Sequence, residues 1–145
     1  EAAELAKERH AELLLIDGPP GIGCPVVSAL TGADLALLVV EPTIAGEHDL
    51  DRVLGVARHF RVPAAVVLNK ADLNPARAEA VAAFCARQEV AILGSIPYDK
   101  AVDDSIVQGI PLTEFGNEAL TSSVEQIWNG LRDSMLEPDR LRLVQ

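Results

Sequence analysis

Short runs of hydrophobic residues recur along the chain, and each run is followed by polar or turn-forming residues. Runs of four to seven residues are too short for a typical helix, and they are typical of strands buried on both faces of a parallel sheet. The pattern predicts four strands, at Leu13–Asp17, Leu35–Val40, Val62–Leu68 and Val90–Ile96.

Between these runs, hydrophobic residues recur at spacings of three and four, the period of a helix with one buried face. The predicted helices cover residues 1–10, a segment that starts at Pro25, and residues 47–60, 75–88, 102–108 and 118–135. Pro25 and the pair Asn74-Pro75 are typical helix starts, because proline fits the first turn and asparagine caps it. Strands that alternate with helices predict an α/β fold with a mostly parallel sheet. We expect one domain over residues 1–136 and a charged, frayed tail over residues 137–145.

The composition provides enough apolar material for one core, since 49% of the 145 residues are hydrophobic. The formal net charge is -10 and Lys and Arg form no cluster, which argues against nucleic acid and anionic membranes as partners. No apolar run approaches the ~20 residues of a membrane span, so we expect no membrane insertion. The two cysteines, Cys24 and Cys85, are too few to supply the four ligands of an iron–sulfur cluster, and we expect a cytoplasmic protein.

Polar residues stand at the end of each predicted strand, at Asp17, Glu41–Thr43, Asn69–Asp72 and Pro97–Asp99. The carboxyl ends of parallel strands share one edge, where ligands of open α/β folds bind, so we predict that these residues lie together. Asp17 before a turn of small residues suits a metal-bound phosphate, and an ordinary capped turn is the alternative. The Asn69 amide can donate to and accept from a purine edge while the Lys70 stem packs over the base; turn residues are again the alternative.

Residues 13–26, Leu-Leu-Leu-Ile-Asp-Gly-Pro-Pro-Gly-Ile-Gly-Cys-Pro-Val, resemble the Walker B and switch II region of the MinD/ParA-type (deviant Walker) P-loop ATPases. More narrowly, they resemble the subgroup that carries an inserted ferredoxin domain. Residues 33–43, Asn69-Lys70 and Ile96-Pro97-Tyr98-Asp99 support the resemblance in the same order, and it covers residues 1–132. It implies a three-layer α/β sandwich of the P-loop NTPase type.

The resemblance also implies roles for individual residues. Asp17 would act on Mg²⁺ through a water, and the turn that contains Gly18 and Gly21 would sense the γ-phosphate of ATP. The implied catalytic residues are Asp17 and Gly21, and the implied nucleotide-binding residues are Gly18, Thr43, Asn69, Lys70, Pro97 and Tyr98. Of these, Asn69 would bind the adenine edge, and the backbone around Pro97-Tyr98 would line the base pocket.

The glycine-lysine phosphate loop of that family is absent from this sequence, and so is the ferredoxin insert with its cysteines. The chain starts at Glu1, without Met, inside a predicted helix, so we expect it to be the C-terminal half of a longer protein. In this family the strand of the phosphate loop lies between the strands that correspond to Leu13–Asp17 and Leu35–Val40. We therefore predict a vacancy of about 9–10 Å there, twice the ~4.8 Å spacing of paired strands. We also expect the chain alone to be poorly stable and unable to hydrolyse ATP.

The leading hypothesis is that the full protein hydrolyses ATP to switch a homodimer or a partner contact. A 4Fe-4S cluster would belong only to the missing N-terminal part. One alternative is a GTPase, because Asn69-Lys70-Ala71-Asp72 fits an Asn-Lys-x-Asp motif whose Asp pairs with guanine. ATP is preferred because Gly-Pro-Pro-Gly and Ile-Pro-Tyr-Asp are typical of the ATPase branch. Another alternative is a non-catalytic interaction domain with the glycine turn as its docking surface.

Overall fold

The computed structural model describes residues 2–115 and 117–136. Six helices and three strands alternate along this part of the chain. In order they are α1 (Ala2–Glu8), α2 (Cys24–Leu30), β1 (Ala36–Val40), α3 (Ile44–His59), β2 (Ala64–Asn69), α4 (Pro75–Arg87), β3 (Ala91–Ile96), α5 (Lys100–Gln108), a 3-10 turn (Leu112–Glu114) and α6 (Glu118–Leu136). The tail predicted over residues 137–145 lies outside the described residues. No helix in residues 2–115 and 117–136 is long and apolar enough to cross a membrane.

The three strands form one parallel sheet in the order β1-β2-β3. β2 lies in the centre, and its residues pair from Ala64 opposite Ala36 to Leu68 opposite Val40. On its other side, Asn69 at the end of β2 pairs with Ile96 at the end of β3. The prediction of a parallel sheet is confirmed, and the last residues of β2 and β3 meet at the same edge.

Helices cover both faces of this sheet. Alternate strand residues face opposite sides, and one side packs against α3 and α4 in the main core. That core comprises Val40, Leu50, Leu54, Val66, Leu68, Val81, Phe84 and Cys85. α2 adds Val26 and Leu30 to a second cluster that shares Leu38 and Ala64 with the first. α6 covers the opposite face at β3, so closely that a Cβ on Gly94 would lie 2.8 Å from Ile127. The predicted three-layer α/β sandwich is therefore confirmed.

The helix caps explain where the helices begin. Thr43 precedes α3, and its Oγ1 accepts a hydrogen bond from the Gly46 backbone N–H at 2.9 Å. Because this cap starts the helix at Ile44, α3 begins three residues before the predicted Glu47. Asn74 caps α4 as predicted, with its Oδ1 accepting from the Arg77 N–H at 3.1 Å. The 3-10 turn after Pro111 was not predicted, since a single short turn leaves no periodic pattern.

The predicted strand Leu13–Asp17 is wrong for this structure, because the segment forms no strand. Its four hydrophobic residues are between 41% and 79% exposed, and in the described part of the chain β1 is an edge strand with a partner on one side only. Within the described residues, the segment 12–22 makes no backbone hydrogen bond. A strand needs a neighbour for its N–H and C=O groups, and this segment pairs with none in residues 2–115 and 117–136. Direct pairing of this segment with β1 is not observed among the described residues, and the gap of about 9–10 Å beside β1 stays a prediction.

Candidate functional site

Three loops follow the three parallel strands and lie at one edge of the sheet. They are the β1–α3 loop (residues 41–43), the β2–α4 loop (residues 70–74) and the β3–α5 loop (residues 97–99), and we call them the carboxyl-edge loops. A cleft of about 290 Å³ opens between the first two, lined by Glu41, Pro42, Thr43, Ile44, Lys70, Leu73, Asn74 and Arg77. The carboxyl edge of such a sheet is where open α/β folds bind ligands.

An ion pair joins the β1–α3 loop to the β2–α4 loop. Lys70 Nζ lies 2.6 Å from Glu41 Oε1, and both side chains are partly exposed. The hydrogen bond and the charge of Glu41 raise the pKa of the Lys70 amine above its ordinary value. Lys70 also adopts a left-handed backbone conformation with φ of 54°, which turns the chain out of β2. The Lys70 ammonium is thus paired with Glu41. The packing of the aliphatic part of the Lys70 side chain over a base stays a prediction.

Two hydrogen bonds join the β2–α4 loop to the end of β3 and to the loop that follows it. The backbone N–H of Tyr98 donates to Asp72 Oδ1 at 2.6 Å, a short contact to a charged acceptor. The N–H of Ala71 donates to the Ile96 carbonyl at 3.3 Å. From the sequence, Asp72 could pair with guanine in a GTPase or be a loop carboxylate or a helix cap; this contact was not predicted, because its partner lies 26 positions further along the chain. No local pattern indicates such a pairing.

The β3–α5 loop is also tied to the start of α6. Asp99 caps α5 by accepting from the Ala101 N–H at 2.8 Å, and its second oxygen accepts from the Asn117 amide at 3.0 Å. Asn117 in turn accepts from the Leu120 N–H at 3.1 Å in the first turn of α6. Hydrogen bonds therefore hold the residues around Tyr98 from both sides.

Beside the cleft, Arg77 of α4 reaches Glu47 of α3. Its Nη2 lies 2.6 Å from Glu47 Oε2, and both side chains are about two-thirds or more buried. The Arg77 Nε is buried and has no hydrogen-bond partner within residues 2–115 and 117–136. This ion pair joins α3 to α4 beside the cleft.

Two of the predicted base-binding residues keep polar or aromatic groups available for a ligand. Asn69 ends β2, is half-buried, and its side-chain amide makes no hydrogen bond to any residue that the structure describes. Tyr98 is 48% exposed. It follows Pro97 just after β3, the strand whose last residue, Ile96, pairs with Asn69. The structure therefore brings Thr43, Asn69, Lys70, Pro97 and Tyr98 to one edge.

Within the described residues, those predicted for catalysis and metal binding make no hydrogen bond or ion pair to the carboxyl-edge loops. Asp17, Gly18 and Gly21 lie in the exposed segment 12–22, and Asp17 has no polar partner among the described residues. Gly21 has a φ of 90°, a conformation that favours glycine. No group of three or more His, Cys, Asp or Glu side chains in the described part of the chain could hold a metal ion. Asp17 could therefore supply one carboxylate contact to Mg²⁺, and the other ligands of such an ion would be waters and phosphates.

Comparisons with known proteins identify relatives over most of the chain, although no protein-family model matches it. An uncharacterized protein of Methanocaldococcus jannaschii is 34% identical over 128 residues, which are 88% of this chain and 42% of the relative. A putative septum site-determining protein MinD of Nephroselmis olivacea is 36% identical, over 73% of this chain and 40% of that protein. A cytosolic Fe-S cluster assembly factor, the Nubp1 homolog of Drosophila yakuba, is 29% identical, over 81% of this chain and 44% of that protein.

The fold is also similar to that of solved structures. The cell division ATPase MinD of Pyrococcus furiosus matches with a TM-score of 0.77 and 25% sequence identity, over 90% of this chain and 55% of that one. The chain spans less than half the length of the curated relatives described above. The similarity therefore concerns one part of those proteins.

Proposed function

Because the chain belongs to the MinD/ParA-type P-loop ATPases, we propose that it supplies the base-binding part of an ATP site in a longer protein. The observation that carries this proposal is the meeting of Asn69, Pro97 and Tyr98 at the carboxyl edge, where the Asn69 amide has no partner among the described residues. The phosphate-binding loop of the family would come from residues outside these 145.

At this edge, each residue has a separate task. The Asn69 amide carries both donors and an acceptor, so it can pair with two adjacent atoms of the adenine edge. The β3–α5 loop, held by Asp72 and Asp99, lines the base pocket from the side of β3. Thr43 lies in the β1–α3 loop, next to the position that a phosphate-loop strand would take beside β1.

Asp17, Gly18 and Gly21 are proposed to reach the phosphates once segment 12–22 is held in the sheet of the longer protein. Mg²⁺, when bound with ATP, would neutralise phosphate charge and be held by waters, phosphates and the Asp17 carboxylate. Asp17 would orient a water of that ion, and the glycine turn would let the backbone approach the terminal phosphate. Because the chain has no phosphate loop of its own, we expect these 145 residues alone to be inactive.

We propose ATP and not GTP as the nucleotide because of the hydrogen bond between the Tyr98 N–H and Asp72. Reading guanine would require the Asp72 carboxylate to face the base, but one of its oxygens already accepts from the Tyr98 N–H at 2.6 Å. The Asn-Lys-x-Asp pattern is thus explained here by a contact between two loops. The hydrolysis-driven switching of a homodimer and a cytoplasmic location belong to the same proposal. A link to a 4Fe-4S domain is supported by the relative named as an Fe-S cluster assembly factor.

Calorimetry on the full protein tests the base site. Asn69→Ala should weaken ATP binding by about 1–3 kcal/mol, roughly 5- to 150-fold in Kd, because a polar edge of the base is left unpaired. Asn129→Ala is the matched control, since Asn129 is exposed on α6 and should leave the affinity unchanged. Equal affinity of Asn69→Ala and the unsubstituted protein would contradict the proposal.

A second variant tests the catalytic assignment. Asp17→Ala should abolish ATP hydrolysis with a milder effect on ATP binding, because most of the binding energy would come from the phosphate loop. Unchanged turnover would remove Asp17 from the mechanism without affecting the base site.

A further inference from the structure

The Pro97-Tyr98 pair presents an unusual set of backbone groups at the carboxyl edge. Pro97 has no N–H, and the Tyr98 N–H donates to Asp72 Oδ1 at 2.6 Å. Within the described residues, neither the Pro97 nor the Tyr98 carbonyl accepts a hydrogen bond. The backbone of this pair therefore offers a ligand acceptors only, and Asp72 is the residue that removes the single donor.

This set of groups favours one class of purine. At position 6, adenine carries an amino group, which donates, whereas guanine and hypoxanthine carry a carbonyl, which accepts. A 6-amino group would find acceptors on the Pro97-Tyr98 backbone. A 6-oxo group would face further acceptors and lose its hydrogen bond to water without replacement, and leaving a buried polar group unpaired is costly.

We propose that Asp72 is a positioning residue that selects 6-amino over 6-oxo purines by holding the Tyr98 N–H away from the base. This inference rests on the proposed nucleotide site and gives it a source of base specificity. Asp72 acts through the β3–α5 loop and does not touch the base itself. The loop keeps this position because Asp99 ties its other end to Asn117 and the start of α6.

Two substitutions of Asp72 separate positioning from direct contact with the base. Asp72→Ala frees the Tyr98 N–H, so the preference for ATP over ITP should fall by about tenfold. ITP is the probe because inosine differs from adenosine at position 6 and lacks the 2-amino group of guanosine. Asp72→Asn keeps an oxygen that can accept from Tyr98 and should restore the preference. Asp103→Ala is the matched control, because that carboxylate is exposed on α5 and makes no hydrogen bond to Tyr98.

The measurements are Kd values for ATP, ITP and GTP, together with hydrogen exchange of the Tyr98 amide, all in the full protein. The exchange should be faster in Asp72→Ala and return to the original rate in Asp72→Asn. An ATP preference that survives Asp72→Ala would overturn this inference alone. Loss of GTP binding in both Asp72 variants would assign the carboxylate to the base and overturn it as well. Failure of the unsubstituted protein to bind any of the three nucleotides would instead overturn the proposed function.

Discussion

Residues 13–16 and residues 65–68 are both runs of four hydrophobic residues, but the structure treats them in opposite ways. The run in β2 is between 0% and 6% exposed, whereas the run Leu13–Ile16 is between 41% and 79% exposed. β2 has a hydrogen-bonded strand on each side and helices on both faces. Leu13–Ile16 has no hydrogen-bonded neighbour among the described residues. Hydrophobicity is therefore not enough to make a strand, because the backbone groups also need partners.

The same contrast divides the candidate site. The carboxyl-edge loops are joined by the Lys70–Glu41 ion pair and by the hydrogen bond from Tyr98 to Asp72. Segment 12–22, with Asp17 and the glycine turn, has no hydrogen bond or ion pair of this kind to the rest of the described chain. The part proposed to bind the base is thus preorganised by this chain alone. We propose that the part that acts on the phosphates would be held by packing from residues outside these 145.

The largest difference is expected between the two cysteines, because Cys24 follows segment 12–22 closely in the chain and Cys85 lies in the main core with Val66 and Leu68 of β2. Cys24 is exposed at the start of α2, whereas Cys85 is 1% exposed in the core and burial raises the pKa of its thiol. Since a thiol reagent attacks the thiolate, Cys85 should react only after the core opens, which costs several kcal/mol. We expect Cys24 to react at least roughly a thousandfold faster, as measured by mass spectrometry after timed labelling. Cys24→Ser isolates the slow thiol, and similar native rates for both cysteines would contradict the contrast.

A matched pair of leucine substitutions tests the same difference as stability. Leu54 is 1% exposed in α3, and Leu54→Ala should lower the free energy of unfolding by about 3 kcal/mol through loss of packing and a cavity. Leu15 is 79% exposed, and Leu15→Ala should change it by no more than about 0.5 kcal/mol. Urea unfolding followed by circular dichroism gives both values. In the full protein, Leu15→Ala should become costly as well; if it stays neutral there, segment 12–22 is not a buried strand of that protein.

Two glycines of α3 test how tightly the carboxyl-edge loops are packed. A Cβ on Gly46 would overlap the Glu41 carbonyl oxygen, so Gly46→Ala must displace the β1–α3 loop and should cost about 1–3 kcal/mol. Apart from the backbone of its own helix, no described atom lies within 4 Å of the position of a Cβ on Gly55, and Gly55→Ala should stabilise the helix by about 0.5–1 kcal/mol. Thermal unfolding of the two variants provides the comparison. If Gly46→Ala left the thermal stability unchanged, the β1–α3 loop would be able to move without cost and would be no more constrained than segment 12–22.

The smallest effect is expected from the ion pair between the loops, because both side chains are partly exposed. Glu41 raises the folded-state pKa of Lys70, so the contribution of the pair is fully present below the ordinary lysine value of about 10.4. It should be lost as the pH rises through the raised pKa. Between pH 9 and 11.5, the free energy of unfolding of the unsubstituted protein should therefore fall by a small amount as the ion pair is lost. Glu41→Gln has no such pair and should not show this decrease. Lys7→Met, at an exposed lysine of α1, serves as the control. Identical pH profiles of Glu41→Gln and the unsubstituted protein would show that the loops are not joined in solution.

The sequence by itself determined the α/β class, the parallel sheet and most helix starts. Thr43, Asn74 and Pro75 act through hydrogen bonds and backbone angles within a few residues, so their effect can be predicted locally. It also predicted that Asp17, Thr43, Asn69 and Pro97 meet at one edge. The parallel order of β1 to β3 brings the last three together, and the place of Asp17 at this edge stays a prediction. These features follow from periodicity and local capping, which any short window of the chain contains.

Only the tertiary structure decided what happens to Leu13–Asp17 and Asp72. A run of apolar residues indicates a tendency to be buried, but a strand forms only beside another strand, and this segment makes no backbone hydrogen bond to any strand among the described residues. Asp72 could cap a turn, face a base or bind a neighbouring loop, and the sequence around it is compatible with all three. The choice depends on how closely the β2–α4 and β3–α5 loops approach, and the Tyr98 N–H that Asp72 accepts is 26 positions away in the chain. Hydrogen-bond partners at that separation are set by the packing of whole elements, which no local pattern encodes.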